Sequence, residues 1–324
     1  MKICIAGGAG YIGSLLIPKL LDRGYEVEVV DLLWFGNHLP AEVKIKQKDI
    51  FDLTEEELQD YDQVIFLAGL SNDPMAEFSP SLNFIANAAA PAYLAYMAKR
   101  AGIKRYIYAG SCSVYGYTVN ELYNETSPAI SSSPYGISKL QGEQAAMQLR
   151  DDTFSVIAFR QGTVCGYSPR MRLDLVVNTM FKTALQTGKI TVNNPAIWRP
   201  ILSIQDAASA YIRAVEASYE ISGIFNISSG NYTVGELGDI VKDVVTAELG
   251  IAVSLDIKHI EDYRNYKVTT EKAGNMLSFK PDHSVETIVR DLAREKDHFS
   301  DFDNPMYYNI QVFKELEGTH GSRG

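Results

Sequence analysis

Gly7-Gly8-Ala9-Gly10-Tyr11-Ile12-Gly13 follows directly on the apolar run Ile3-Cys4-Ile5-Ala6. A short apolar run closed by glycine reads as a buried strand, and the apolar spacing over residues 11–23, stopped by Gly24, reads as a helix. Glycines at 7, 10 and 13 between a strand and a helix suit a backbone wrapped around a dinucleotide. The first allows a tight turn, the second lets the main chain approach a pyrophosphate, and the third allows close helix–strand packing. The N–H groups of Tyr11, Ile12 and Gly13 open the helix toward the anion. Asp31 ends the second apolar run, where a carboxylate accepts hydrogen bonds from an adenosine ribose. Its charge repels a 2′-phosphate, which favours NAD over NADP.

The pattern repeats along the first half of the chain. Strands are expected over residues 26–31, 43–49, 63–68, 105–110 and 154–160. Helices are expected from Thr54, over 81–101, and from Tyr135 to Leu149, with 117–133 as a loop. Strands separated by helical crossovers imply an α/β fold, a Rossmann-type doubly wound parallel sheet. The second half is less regular. Helices are expected over 173–187, 204–217 and 233–249 and after Val285, with short strands at 190–192, 223–227 and 253–257. The expected division is a nucleotide-binding domain over 1–165, rejoined by about 200–228. A smaller α/β lobe would comprise 166–199 and 229–316. The polar, glycine-rich residues 317–324 read as a disordered tail. In the first domain Asp49-Ile50 is placed to contact adenine, and Leu67-Ala68 lets the backbone pass the dinucleotide. Asn87 offers a polar anchor on the helix that follows.

A formal net charge of −10 on 324 residues argues against a general nucleic-acid binder, which needs a basic footprint. No apolar run is long enough to span a bilayer, and no signal peptide is evident, so a membrane partner is not expected. Cys4, Cys112 and Cys165 have neither metal-ligand spacing nor a disulfide framework; no metal is expected, and the pattern suits a reducing cytoplasm.

Tyr135-Gly136-Ile137-Ser138-Lys139 sets a phenol and an ammonium one helical turn apart, on one face. An ammonium near a phenol stabilises the phenolate and makes Tyr135 a candidate acid/base. Such a pair arises often by chance. Here it follows both the glycine-rich turn and a serine-rich strand end, Ser111-Cys112-Ser113.

Together these features resemble the extended short-chain dehydrogenases/reductases, in the NAD-dependent epimerase/dehydratase family that acts on nucleotide sugars. The resemblance is carried by the glycine turn, Asp31, Asp49-Ile50, Phe66-Leu67-Ala68-Gly69-Leu70, Asn87, Ser111-Cys112-Ser113-Val114-Tyr115-Gly116 and Tyr135/Lys139. Trp198-Arg199-Pro200 through Gln205-Asp206-Ala207-Ala208 adds to it in the second lobe. It implies Tyr135 as acid/base on a sugar oxygen and Lys139 on the nicotinamide ribose. Ser111 would hydrogen-bond the same oxygen, with Ser113 as a second hydroxyl. Arg199, Arg264, Arg172 and Asn178 would bind the substrate, the arginines through its diphosphate. A homodimer through residues 81–101 and the Tyr135 helix is also implied, using the apolar face Ala86, Ala89, Ala90, Tyr93 and Met97.

The reaction is narrowed by what adjoins Ser111. Dehydratases of this family follow the catalytic hydroxyl with an Asp-Glu pair, where this chain has Cys112 and Ser113. Enzymes that epimerise C3 and C5 use a Cys and a His, at positions held here by Ser113 and Ser168. A 4-epimerase needs only the Ser/Tyr/Lys set, held NAD and a roomy sugar site, so C4 epimerisation through a 4-keto intermediate is expected. A reductase of a nucleotide-linked 4-keto sugar is the alternative, with dehydration behind it. Ser71 replaces a lysine, and Thr163 a frequent asparagine, of galactose-type epimerases. A non-enzymatic dinucleotide sensor of this fold would typically lose Tyr or Lys, and both are kept.

Overall fold

The first strand, Lys2–Ala6, shows how the fold is layered. Successive side chains point to opposite faces of a sheet. Ile3 and Ile5 join one core with Leu16, Ile17, Leu20 and Phe159, while Cys4 and Ala6 join another with Phe66, Leu94, Ala95 and Tyr106. Both faces are covered, so the strand is apolar from Ile3 to Ala6, as buried parallel strands are.

The structure is a computed structural model and describes residues 1–259 and 265–320. Its main sheet has seven strands, all paired in parallel. From one edge to the other they are Gly223–Ile227, Ser155–Gln161, Arg105–Ser111, Gln63–Phe66, Lys2–Ala6, Glu26–Val30 and Lys44–Lys46. Strand order reverses at Lys2–Ala6, and a crevice at such a switch point is where open α/β sheets bind ligands. This is the expected Rossmann-type arrangement.

Outside this sheet, Trp198–Ser203 pairs in parallel with Thr163–Cys165 and antiparallel with Gly230–Thr233. Ser254–Lys258 pairs with Lys189–Asn193. These strands and the helices Val176–Thr187, Val234–Leu249 and Val285–Glu295 enclose a further core around Phe181, Val192, Leu237, Val241, Ile288 and Leu292. Arg105 ties the helix Ile204–Glu216 to the sheet. Fully buried, its guanidinium donates to the carbonyls of Ala214 and Ala217 at 2.7 Å, at the helix's C-terminal end, where a cation also suits the helix dipole.

Several expectations need correcting. The helix placed at 81–101 starts at Pro80 and is interrupted by a π turn, Ile85–Ala89, before resuming as Ala90–Arg100. Residues 117–133 are not all loop, because Tyr117–Tyr123 pairs with Asn265–Val268. The helix expected from 173 begins at Val176; Leu173 instead donates its N–H to Tyr307 at 2.9 Å. Residues 317–320 complete a last helix, Asn309–His320, so they are no tail. Its Phe313 is buried on Leu70 and Met75. Residues 321–324 lie outside the described residues.

Candidate active site

The glycine-rich turn is built as a cradle. Gly7 has φ +77°, and a Cβ there would come within 2.4 Å of the Ala68 nitrogen. Only glycine lets these two strand ends meet. At Gly13 a Cβ would fall 2.1 Å from the Gly8 carbonyl oxygen, so the turn folds tightly upon itself. Gly10 faces only the Gly7 carbonyl, at 3.2 Å, which leaves its outer side open to a ligand. Asp31 is held beside the turn, accepting from Ala9 N–H at 3.0 Å and Leu33 N–H at 2.8 Å. Burial nonetheless pushes its pKa up, against those two bonds. A cradle that a Cβ would fill, ending on a carboxylate set for a ribose, fits NAD.

A cavity of about 980 Å³ is lined both by this turn and by residues of the strand Trp198–Ser203 and the helix Val176–Thr187. Gly7, Gly10, Tyr11, Ile12, Asp31, Asp49, Ile50, Leu67 and Ala68 line one end. Ser111, Ser113, Tyr135, Lys139, Arg172 and Arg199 line the other. Asp49 also caps the short turn Ile50–Asp52 through Phe51 N–H, at 2.9 Å.

Tyr135 and Lys139 lie on the helix Pro134–Gln148. Ser133 caps it by accepting from Gly136 N–H at 3.1 Å, and Pro134 fills the first turn, where its missing N–H costs nothing. Tyr135 therefore sits beside the end of the Arg105–Ser111 strand. Ser111 donates to Ser113 Oγ at 2.9 Å and, beside the phenol, favours its ionised form. Lys139 Nζ lies 5.9 Å from the Tyr135 ring centre and donates to the Ala109 carbonyl at 3.1 Å. Burial lowers the Lys139 pKa to about 8. Burial also pushes the Tyr135 phenol well above the ordinary tyrosine range, and the Asp73 carboxylate adds to the rise. Ser111 and Arg172 act the other way. Cys112 turns away from the cavity and donates to the Arg160 carbonyl at 3.2 Å, its thiol pushed up by burial.

Other selected residues are placed differently from expectation. Tyr11 lines the cavity, but its hydroxyl donates to the Gly166 carbonyl at 2.6 Å, joining the glycine turn to the second lobe. Asn178 is fully buried and spent internally: it accepts from Gly166 N–H at 2.9 Å and donates to the Arg172 carbonyl at 2.8 Å. It lies behind the cavity wall, not on it. Asn87 is also fully buried within the π turn and donates to the Leu70 carbonyl at 2.8 Å, so it supports the loop after Phe66 from behind. Arg172 faces the cavity as half of an ion pair, with two bonds to Asp174 at 2.9 and 3.1 Å. Burial works to lower its pKa, but Asp174 leaves it raised. Arg199 is buried at the cavity wall and donates to the Trp198 carbonyl at 2.9 Å. Arg264 lies outside the described residues.

Sequence reasoning missed Asp73, Arg170, Tyr266 and Asn309, which also line the cavity. Tyr266 lines the cavity with Ser113 and comes from the strand Asn265–Val268, which the sequence does not signal. Arg170 carried a signal, since it precedes the selected Arg172 by two residues. Among the described residues no cluster of His, Cys, Asp and Glu is set to hold a metal, and no helix is long and apolar enough to cross a membrane.

Known proteins agree with this geometry. A UDP-glucose 4-epimerase of Corynebacterium glutamicum is 25% identical over 314 residues, covering 90% of this chain and 94% of the relative. UDP-glucuronic acid decarboxylase 1 of Arabidopsis thaliana is also 25% identical, over 88% of this chain and 67% of the relative. Among solved structures, a Thermus thermophilus UDP-glucose 4-epimerase in complex with NAD superposes with a TM-score of 0.79. It is 23% identical, with 93% of this chain and all of that one covered. Residues 3–228, from the first strand through the last strand of the main sheet, match the NAD dependent epimerase/dehydratase family as a unit. With the glycine cradle, Asp31 and the Ser111–Tyr135–Lys139 set all on one cavity, the chain belongs to that family.

Proposed function

We propose that the protein epimerises a nucleotide-diphosphate sugar at C4, through a transient 4-keto intermediate, using NAD. The observation that carries this reading is the content of the wall beside Ser111. It holds one hydroxyl–phenol relay, with Cys112 buried behind it and Ser113 in front. The Asp-Glu pair that dehydration needs is absent from those positions.

Gly7–Gly13 and Asp31 would hold the dinucleotide, and Lys139 would meet its nicotinamide ribose. When bound, NAD supplies a reversible hydride acceptor at the sugar carbon. Tyr135 takes the proton of the sugar hydroxyl as the carbon is oxidised and returns it after the intermediate turns over. Ser111 steadies the same oxygen. Arg199 would hold the substrate diphosphate, which leaves the sugar free to rotate; Arg172 adds a buried positive charge opposite Tyr135. UDP-sugars are the favoured substrates, since the relatives above are UDP-sugar enzymes by name. A Tyr135→Phe variant should lose about 10²–10⁴-fold in turnover of a UDP-hexose while keeping NAD binding. The purified wild type should turn that sugar over without added cofactor. Full activity in the variant, or strict dependence on added NADH or NADPH, would exclude the epimerase.

The protein is further proposed to work as a cytoplasmic homodimer. The face suggested for pairing is only partly outward: Ala89 is exposed, Tyr93 and Met97 are half-buried, and Ala90 is buried. Tyr96, 48% exposed on the same helix, supplies an aromatic contact for a partner copy. Sedimentation showing only monomer at micromolar concentration would refute the dimer.

A further inference from the structure

Arg170 is 2% exposed, lines the cavity, and is not claimed by the proton relay. Its guanidinium lies face-on to Phe35, 3.8 Å from Cζ to the ring centre. Its Nη2 donates to the Asn309 side-chain carbonyl at 2.5 Å, and its Nε has no partner. No carboxylate among the described residues forms an ion pair with it. The neighbouring Asp174 is taken by Arg172 at 2.9 Å, and both Asp31 oxygens accept backbone N–H groups. Burying a guanidinium against a neutral amide and a ring leaves it without a contacting counterion, a costly arrangement unless a ligand completes it. Consistent with that, burial lowers the Arg170 pKa to about 9.

The position of the side chain identifies the ligand. Arg170 N–H donates to Ser14 Oγ at 3.3 Å, and Ser168 Oγ donates to the Tyr11 carbonyl at 2.7 Å. The segment 168–170 is thus fastened to the first turn of the helix that the glycine cradle opens. Asn309 extends the other side, donating from Nδ2 to Ser71 Oγ at 2.7 Å, on the loop after Phe66. The guanidinium therefore lines the cavity beside the cradle, with Asp31 near enough to act on its charge and Asn309 linking it to Ser71.

We infer that Arg170 closes the cofactor site from the second lobe by binding the dinucleotide diphosphate. A planar fork of donors suits two phosphate oxygens, and the diphosphate supplies the missing countercharge. Asn309, on the last helix, aims the fork. Cofactor binding would then draw together the glycine turn, the second lobe and the C-terminal helix.

The inference rests on the chain binding NAD, and not on which sugar reaction follows. It is tested on the full-length, cofactor-stripped protein, by displacing NADH fluorescence with ADP-ribose and separately with adenosine. Arg170→Met should weaken ADP-ribose about 10–100-fold while changing adenosine less than about twofold, the effect of losing hydrogen bonds to a charged group. Asn309→Asp, nearly isosteric, gives the guanidinium an internal counterion. It should weaken ADP-ribose at least about tenfold with Arg170 in place, which keeps the test open if Arg170→Met fails to fold. Equal losses for ADP-ribose and adenosine, or unchanged ADP-ribose affinity in either folded variant, would overturn it. A wild type that binds no NADH would instead sink the cofactor reading itself.

Discussion

Lys139→Met should make the cofactor-free protein more stable while disabling it. Lys139 is 5% exposed, and its ammonium has one hydrogen bond, to the Ala109 carbonyl at 3.1 Å. Burial takes its pKa from 10.5 to about 8. At pH 7 the charged form is therefore held in the fold at a cost of about 3 kcal/mol. Methionine keeps the length and packing and removes the charge. It forfeits the bond to Ala109, worth about 1 kcal/mol, which leaves a net gain of about 2 kcal/mol. For a chain of this length that is a rise in Tm of about 3 °C. The pH dependence is specific. Between about pH 8 and 10.5 the unfolded chain binds more protons at this site than the native one, so wild-type stability climbs with pH relative to the variant. The advantage of Lys139→Met is full below pH 8 and gone above 10.5. Thermal unfolding of both stripped proteins across that range measures it. A variant less stable than wild type at pH 7, or a gap that does not change with pH, would refute the reasoning. Turnover should meanwhile fall by about 10²-fold or more. The lysine is a group kept for function at the expense of stability.

Glu143 lies on the Tyr135 helix and makes a two-pronged pair with buried Arg160, at 2.7 and 2.8 Å. Glu143→Ala strands that guanidinium, and chemical denaturation should show a loss of about 3–5 kcal/mol. Gly7→Ala pushes a methyl to 2.4 Å from the Ala68 nitrogen at φ +77°. It should destabilise the protein by about 2 kcal/mol or more and abolish NADH binding in a fluorescence titration.

What the sequence could show depended on how local each feature is. The glycine turn, Asp31 and the Tyr135–Lys139 step each lie within a few residues of chain, and their physical reasons hold in any fold that forms them. The sheet followed because every crossover carries its own helical period, and the Lys2–Ala6 strand is apolar on both faces. Long-range pairing was harder to read. Tyr117–Tyr123 reads as loop because its partner, Asn265–Val268, is more than 140 residues away and the turn residues around it dominate locally. The π turn at Ile85–Ala89 has no signature in composition. It exists where the Tyr135 helix comes so close that a Cβ on Gly142 would be 2.4 Å from the Asn87 carbonyl oxygen.

The same distinction explains the reassigned polar residues. A motif shows that a polar side chain is present at a position, but not how many of its bonds the fold consumes. Asn178 and Asn87 were read as ligand contacts, yet each is fully buried and bonded to backbone carbonyls that shape the cavity. Arg172 is matched by Asp174 at two points, whereas Arg170, two residues earlier, retains an unpartnered donor at the same wall. Arg170 and Arg172 both line the cavity, so their different fates come from what the last helix brings. Asn309 reaches Arg170 with a neutral amide, while its main-chain N–H joins Arg172 on Asp174, at 3.3 Å. The C-terminal helix, which composition alone marked in part as tail, thus decides which arginine keeps its charge available to a ligand.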